Sequence, residues 1–205
     1  MAIGERYDTI LDAALTVFAR RGFHQASIRE IARTADLSLA GLYHYVGGKG
    51  ELLFLTLDRT LDRLRATQDT ALAMARTPEA RLLALVRAHL QFGFEHADAL
   101  RLVNREWEAI DAAYRAEIAA KRRQYMERGL NVLAALDPHR RSHAELFAAT
   151  NLLLGMLNGI ATGAFLRSPD DPRLVAAAVG ALFLHGFLER SAASVDTAAV
   201  SGRSA

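Results

Sequence analysis

The side chains from which a catalytic or metal site could be built are present but scattered. The chain of 205 residues holds seven histidines and 23 carboxylates and has no cysteine. His139 and His143 are four apart, a spacing that suits a two-histidine metal pair. They straddle the break imposed by Asp137 and Pro138, however, so they do not share a helix face and no metal is expected. No glycine-rich phosphate loop, nucleophile elbow or metalloprotease histidine pair occurs, and serines with histidines are too common to mark a nucleophile. The expectation is therefore a non-enzyme without cofactor. The lack of cysteine excludes disulfides and thiolate metal sites and fits a reducing cytoplasm.

A different chemistry is spaced along the first fifty residues. Ser27 and Glu30 have the separation of a capping box, which places a hydroxyl and free backbone N–H groups where they can cap a helix or meet a phosphate. Ser38 caps the next short helix. With Leu42 and Val46 turned inward, the helical period leaves Leu39, Ala40, Gly41 and His44 outside. Two short helices joined at Asp36 and Leu37, the second capped and followed by a long helix, can lay that second helix in a major groove. Helical hairpins of other kinds share this outline. The outer face is poor in hydrogen-bonding groups: Leu39 and Ala40 suit thymine methyls, His44 a base edge or phosphate, and Arg29 adds a cation from the preceding helix. Residues 1–60 carry seven basic and seven acidic side chains, so affinity for DNA depends on placement rather than total charge. Arg20, Arg21, Arg29 and Arg33 suit DNA contact and a solvated face equally well.

These groups need helices to position them, and the rest of the chain supplies little else. Four prolines interrupt a sequence rich in Ala, Leu, Arg and Glu. Tyr7, Ile10, Leu11, Ala14 and Phe18 predict a first helix over 6–21, stopped at Gly22. A second starts after Ser27, a third runs from Ser38 to the glycines at 47 and 48, and Leu53, Leu57, Leu61 and Leu64 mark a long fourth over 49–75. Further helices are expected over 78–96, 98–108, 112–136, 142–166 and 173–189, with a disordered tail from 191 to 205. The fold class is all-α, about nine helices: a helix-turn-helix unit over 1–48, then a larger helical domain over 49–190.

The run from Ile10 to Leu53 resembles the DNA-binding unit of the TetR family of bacterial regulators over about a quarter of the chain. The resemblance rests on Ile10, Ala13, Ala14, Phe18, Gly22, Phe23, Ser27, Ile28, Ile31, Ala32 and Ser38, and on the stretch LYHYVGGKGELL from Leu42 to Leu53. It implies that Tyr43 and Lys49 grip phosphates on either side of the recognition helix. It further implies that 49–190 is a ligand-binding and dimerisation domain, and that the homodimer sits on double-stranded operator DNA until a small-molecule effector releases it. Departures are Asp36 where the family has glycine, which calls for a left-handed backbone, Gly41, Val46, and Gly48 and Gly50 at the start of the fourth helix, which should fray more easily.

Beyond residue 60 the sequence is too variable in that family for transfer by position. The uncharged stretch Leu146–Leu166 is long enough to span a bilayer, but Asn151, Asn158 and two threonines interrupt it and no membrane is expected. The last two long helices are too apolar to stand in water and should pair with those of a second subunit, with Gly155, Gly159 and Gly163 permitting close approach. Phe92, Trp107 and Tyr125 are candidates for an apolar pocket, with Asn151 and Asn158 as polar contacts. The spacing of Arg101, Arg105, Trp107, Arg122, Arg123 and Tyr125 is similar to TetR relatives that sense acyl-CoA thioesters, which would set Arg101, Arg105 or Arg122 against phosphates. An activator of the same fold, or a helical ligand-binding protein with a degenerate DNA unit, remain the alternatives.

Overall fold

The computed structural model describes residues 3–137, 141–163 and 172–188. Pro138, His139, the turn at 167–171 and the tail beyond 190 lie outside these residues. Among the described residues nine α-helices follow in order: α1 Ile3–Gln25, α2 Ile28–Thr34, α3 Leu39–Tyr43, α4 Lys49–Ala73, α5 Pro78–Glu95, α6 Ala97–Glu106, α7 Ala112–Leu136, α8 His143–Ala161 and α9 Pro172–Leu188. A 3-10 turn, Trp107–Ala109, joins α6 to α7. No strand occurs among the described residues.

The expected punctuation is where the chain turns. Gly22 leaves helical geometry at φ 73°, and Asp36 takes the left-handed conformation at φ 54°. Ser38 Oγ accepts from the Gly41 N–H at 2.9 Å, closing the start of α3. Ser27 Oγ accepts from the Glu30 N–H at 3.2 Å. The second half of that capping box is missing, because the Glu30 carboxylate pairs with Arg20 and Arg21 instead. Each serine cap stabilises its helix by about 1 kcal/mol. Gly48 gives α4 no side-chain cap, yet the first turn is held from outside it. The Glu51 carboxylate accepts from the Gly47 N–H, and the Asp111 carboxylate lies so close over Gly50 that a Cβ there would collide with it. A negative charge at that helix end is also favoured by the dipole.

Two apolar cores stack along α4. The first joins α1–α3 and the start of α4 through Ile10, Phe18, Ile31, Leu42 and Leu53, and it continues into Leu102 and Val103 of α6 and Ile110 and Ile118 near α7. Residue 48 is therefore a connection and not a gap in packing. The second gathers the far half of α4 with α5, α7, α8 and α9 around Leu82, Leu85, Leu133, Leu153 and Leu157. Arg59 ties α4 to α1 through Asp8 at 2.9 Å and through Asp12, while Lys121 and Arg128 of α7 reach Asp58, Asp62 and Asp69 of α4. Burial alone would lower the Lys121 pKa, but hydrogen bonds and the charges of Asp58 and Asp62 outweigh it and raise it.

Helix α8 is apolar and long enough to cross a membrane. Its buried face, Leu146, Thr150, Leu153, Leu154, Leu157 and Ala161, packs into the second core against α5 and α7. Close approach inside the subunit comes from glycines that the sequence did not single out. A Cβ at Gly93 of α5 would collide with Ala161 of α8, and one at Gly180 of α9 with Leu83 of α5.

Candidate nucleic-acid interface and effector pocket

Helix α3 presents a small convex face. Leu42 and Val46 are buried beneath it, while Ala40, Tyr43 and His44 are exposed and Leu39 and Gly41 are half-buried. Tyr43 is 50% exposed, so its ring belongs to the surface and not to the core. Tyr45 stands beside it at 36%, an exposed ring that the inward-outward count from Leu42 and Val46 did not single out. Ser27 and Ser38 lie exposed at the starts of α2 and α3. Arg29 and Arg33 project from α2 without a salt bridge among the described residues, whereas Arg20 and Arg21 share Glu30. The unshared cations of this face are therefore on α2.

Lys49 is engaged differently from the sequence expectation of a free phosphate grip. Its ammonium donates to the carbonyls of Phe23, His24 and Ala26 at 2.9–3.3 Å and lies 4.6 Å from the centre of the Phe23 ring. All three N–H donors are thereby occupied, and Lys49 fastens the last turn of α1 and the loop that follows it to the start of α4.

The second feature is a cavity of about 460 Å³ between α4, α6, α7 and α8. Leu61, Leu64, Leu100, Val103 and Leu154 make its apolar wall, Phe147 and Met126 extend it, and Asn104, Asn151, Asn158, Arg122 and Arg123 supply polar groups. Arg122 is half-buried, and burial lowers its pKa. It donates to the Val103 carbonyl at 3.3 Å and lies 5.0 Å from the centre of the Trp107 ring, with no carboxylate paired to it among the described residues. A partly dehydrated guanidinium without a counter-charge favours an anion at this end of the cavity. Asn104 donates to Asn158 at 3.3 Å across the α6–α8 rim.

Two family models cover most of this architecture. The description "Bacterial regulatory proteins, tetR family" matches residues 10–55, and "Tetracyclin repressor-like, C-terminal domain" matches residues 75–186. The chain belongs to the TetR family. Among curated relatives, the HTH-type transcriptional regulator BetI of Rhizobium meliloti is 40% identical over 82 residues, covering 40% of each chain. The chain thus spans less than half the length of that relative. A TetR-family regulator from Bordetella parapertussis superposes with a TM-score of 0.79 at 26% identity, over 87% of this chain and 93% of that one. The complex of AibR with isovaleryl coenzyme A and operator DNA superposes with a TM-score of 0.75 at 23% identity, over 87% and 98%.

Within this TetR fold the pocket candidates divide. Arg122, Tyr125, Asn151 and Asn158 line the cavity, and so does Gly155, expected at a subunit interface. Phe92 does not line it, because it is fully packed in the second core. Trp107 packs against the first core and meets the cavity only through Arg122. Arg101 is tied to Asp98 and to the Thr162 carbonyl, and Arg105 with Arg101 borders the seam between α1 and α6. The wall itself, from Leu61 to Leu154, was invisible as a site because leucines on a buried stripe carry no mark of function.

The outer faces of α8 and α9 are apolar. Leu152, Leu174 and Leu182 are 65–71% exposed, and Ala149, Leu152, Met156, Leu182, Phe183 and Gly186 line a groove between the two helices. By helical count Gly159 shares the face of Leu152 and Met156, whereas Gly155 lines the cavity and Gly163 lies beyond α8, which ends at Ala161 and not at the expected 166, with a φ of 70°.

Proposed function

We infer that the chain is a cytoplasmic, homodimeric repressor without enzymatic activity, holding a palindromic operator until a small amphipathic anion enters the cavity between α4, α6, α7 and α8. The observation that carries this reading is the unpaired Arg122 at the polar end of an apolar cavity of about 460 Å³. An acyl thioester of coenzyme A has that chemistry: phosphates for Arg122 and Arg123, and a chain for the leucine wall. The isovaleryl coenzyme A held by AibR, a protein of the same fold, supports it.

Residues 1–48 form the reading head and 49–190 the effector and dimerisation part. The recognition helix α3 contributes Leu39, Ala40, Gly41 and His44 to the bases, Ser27, Ser38 and Tyr43 to phosphates, and Arg29 approaches from α2. Lys49 acts through the loop it fastens. The exposed apolar faces of α8 and α9 pair with those of a second copy, which sets two reading heads one helical turn of DNA apart. Ligand acts through α6, since Val103 and Trp107 touch Arg122 on one side and the first core on the other. A coupling of about 1–3 kcal/mol is enough for a five- to 150-fold change in operator affinity.

The test is fluorescence anisotropy of the protein on DNA from upstream of its own coding sequence, at fixed salt. A dimer that binds at nanomolar concentration and is displaced by medium-chain acyl-coenzyme A supports the reading. Binding that no thioester alters removes the effector assignment, and no binding at all removes the operator.

A further inference from the structure

Two polar side chains sit where the packing calls for leucines. Gln68 follows Leu57, Leu61 and Leu64 on the inner stripe of α4, and His89 lies among Leu82, Leu85, Val86 and Phe92 on that of α5. Both are wholly buried, at 0% exposure. The Gln68 amide finds no partner for its nitrogen or its oxygen among the described residues, and His89 Nε2 finds none either. Buried polar groups without partners are destabilising by about 1–3 kcal/mol each, so their presence in a core argues for a use.

Neither residue lines the cavity, but each adjoins a residue that does. Tyr125, which lines it, shares a hydrogen bond of 2.7 Å with His89 Nδ1. Whichever tautomer the histidine takes, Nε2 is left on the far side of the ring. Leu64, also in the wall, stands one turn before Gln68, about 6 Å along the axis of α4 at the usual rise per residue. Gln68 therefore stands one turn beyond the apolar wall, level with Arg128 rather than with Lys121 and Arg122, and His89 lies one side chain behind Tyr125.

We propose that Gln68 and His89 form an inner subsite for a neutral hydrogen-bonding group at the distal end of the effector's chain, a hydroxyl or ketone separated from the anionic end by methylenes. This rests on the reading of the cavity as the effector site. The Gln68 amide offers N–H donors and a carbonyl acceptor, and a hydroxyl can engage both kinds at once. A second carboxylate is disfavoured, because His89 is held neutral by burial, its pKa lowered to about 4, and the nearby Arg128 already has its counter-charge in Asp69. A polar inner end behind an apolar wall selects against plain fatty chains, whose last methylenes would leave three polar atoms unpaired.

The probes are decanoyl- and 10-hydroxydecanoyl-coenzyme A, with 3-hydroxydecanoyl-coenzyme A as the proximal isomer and the three free acids as a parallel arm that separates phosphate from carboxylate recognition. Release of operator DNA by the wild-type protein should favour the 10-hydroxy compound over decanoyl by roughly tenfold or more, and the 3-hydroxy isomer should gain nothing. Gln68→Leu, with Gln68→Met as a second variant, should lose that preference, keep release by decanoyl-coenzyme A, and raise Tm by a few degrees. Equal response to decanoyl and 10-hydroxydecanoyl overturns the subsite while leaving the effector site standing. A lowered Tm with an unchanged preference makes Gln68 a structural residue and also overturns it. If no probe binds by calorimetry, the effector-site reading falls and the subsite falls with it.

Discussion

The two halves of the molecule keep their functional groups in opposite ways. The reading head displays short polar and apolar side chains on α2, α3 and their starts, all within eighteen residues of sequence from Ser27 to His44, over a fully packed core. The effector part hides its groups in a cavity to which α4, α6, α7 and α8 each give a few residues, and it tolerates unpartnered polar atoms in its interior. A surface that must match a fixed partner can be rigid and cheap to specify locally. A cavity that must accept and release a ligand needs groups whose partners arrive with it.

The largest expected effect breaks the comparison at its shared core. Leu53 is fully buried in the first core, which includes residues from both halves. Leu53→Ala should destabilise the protein by about 2–5 kcal/mol. Because α6 and the start of α7 belong to that core, urea unfolding should stay a single transition. Two separated transitions would show that the halves fold independently.

Next comes the acid sensitivity of the effector part. Burial holds His89 near 4 in the folded chain against an ordinary 6.5, so below 6.5 the unfolded chain binds a proton that the folded one refuses. Stability then rises with pH between about 4 and 6.5, and falls as the solution is acidified, by on the order of 2–3 kcal/mol across the window. His89→Phe should flatten that part of the profile. A wild-type profile without this slope would contradict the burial of a neutral histidine. Gly93→Ala is smaller, about 1–3 kcal/mol, since its Cβ must push apart α5 and α8 at Ala161. Its Tm should fall, and operator affinity of the folded fraction should hold.

How much of each half could be read from sequence follows from the same contrast. The caps at Ser27 and Ser38, the left-handed Asp36 and the inward Leu42 and Val46 are local events, decided by neighbours within four residues, and they stand where the spacing puts them. Lys49 shows the limit of that approach. Its carbonyl partners lie 23 to 26 residues back, beyond the reach of any periodicity. In the effector part Arg122, Tyr125, Asn151 and Asn158 come together, but Phe92 faces the core and Gly155 the cavity, because α8 has apolar side chains on several faces and a stripe cannot be assigned to a neighbour from its pattern alone. Gln68 was passed over for the same reason: a single glutamine on an otherwise apolar stripe looks like an edge residue until its burial is known.

Arg122 sharpens the comparison from the effector side. Arg122→Gln removes the charge but keeps a donor near the Val103 carbonyl, so α6 should stay in place. Operator affinity without ligand should be unchanged, while the thioester concentration needed for release rises about five- to thirtyfold. A matching loss of operator affinity would mean that Arg122 serves the fold through Trp107 rather than the ligand.

The smallest effect is the cleanest test of the reading head. Tyr43→Phe leaves the ring on the surface, where half of it is already in water, and removes only the hydroxyl. If that hydroxyl donates to a phosphate, affinity should fall about fivefold, close to 1 kcal/mol, on operator and unrelated DNA alike, with Tm and effector response unmoved. Lys49→Ala run beside it should lower affinity and Tm together, because its ammonium holds two carbonyls of the last turn of α1 and one of the loop after it. The contrast separates a residue that touches DNA from one that shapes the surface that does. Should Tyr43→Phe weaken only the operator and not random DNA, the hydroxyl reads a base and α3 sits deeper in the groove than its apolar face implies.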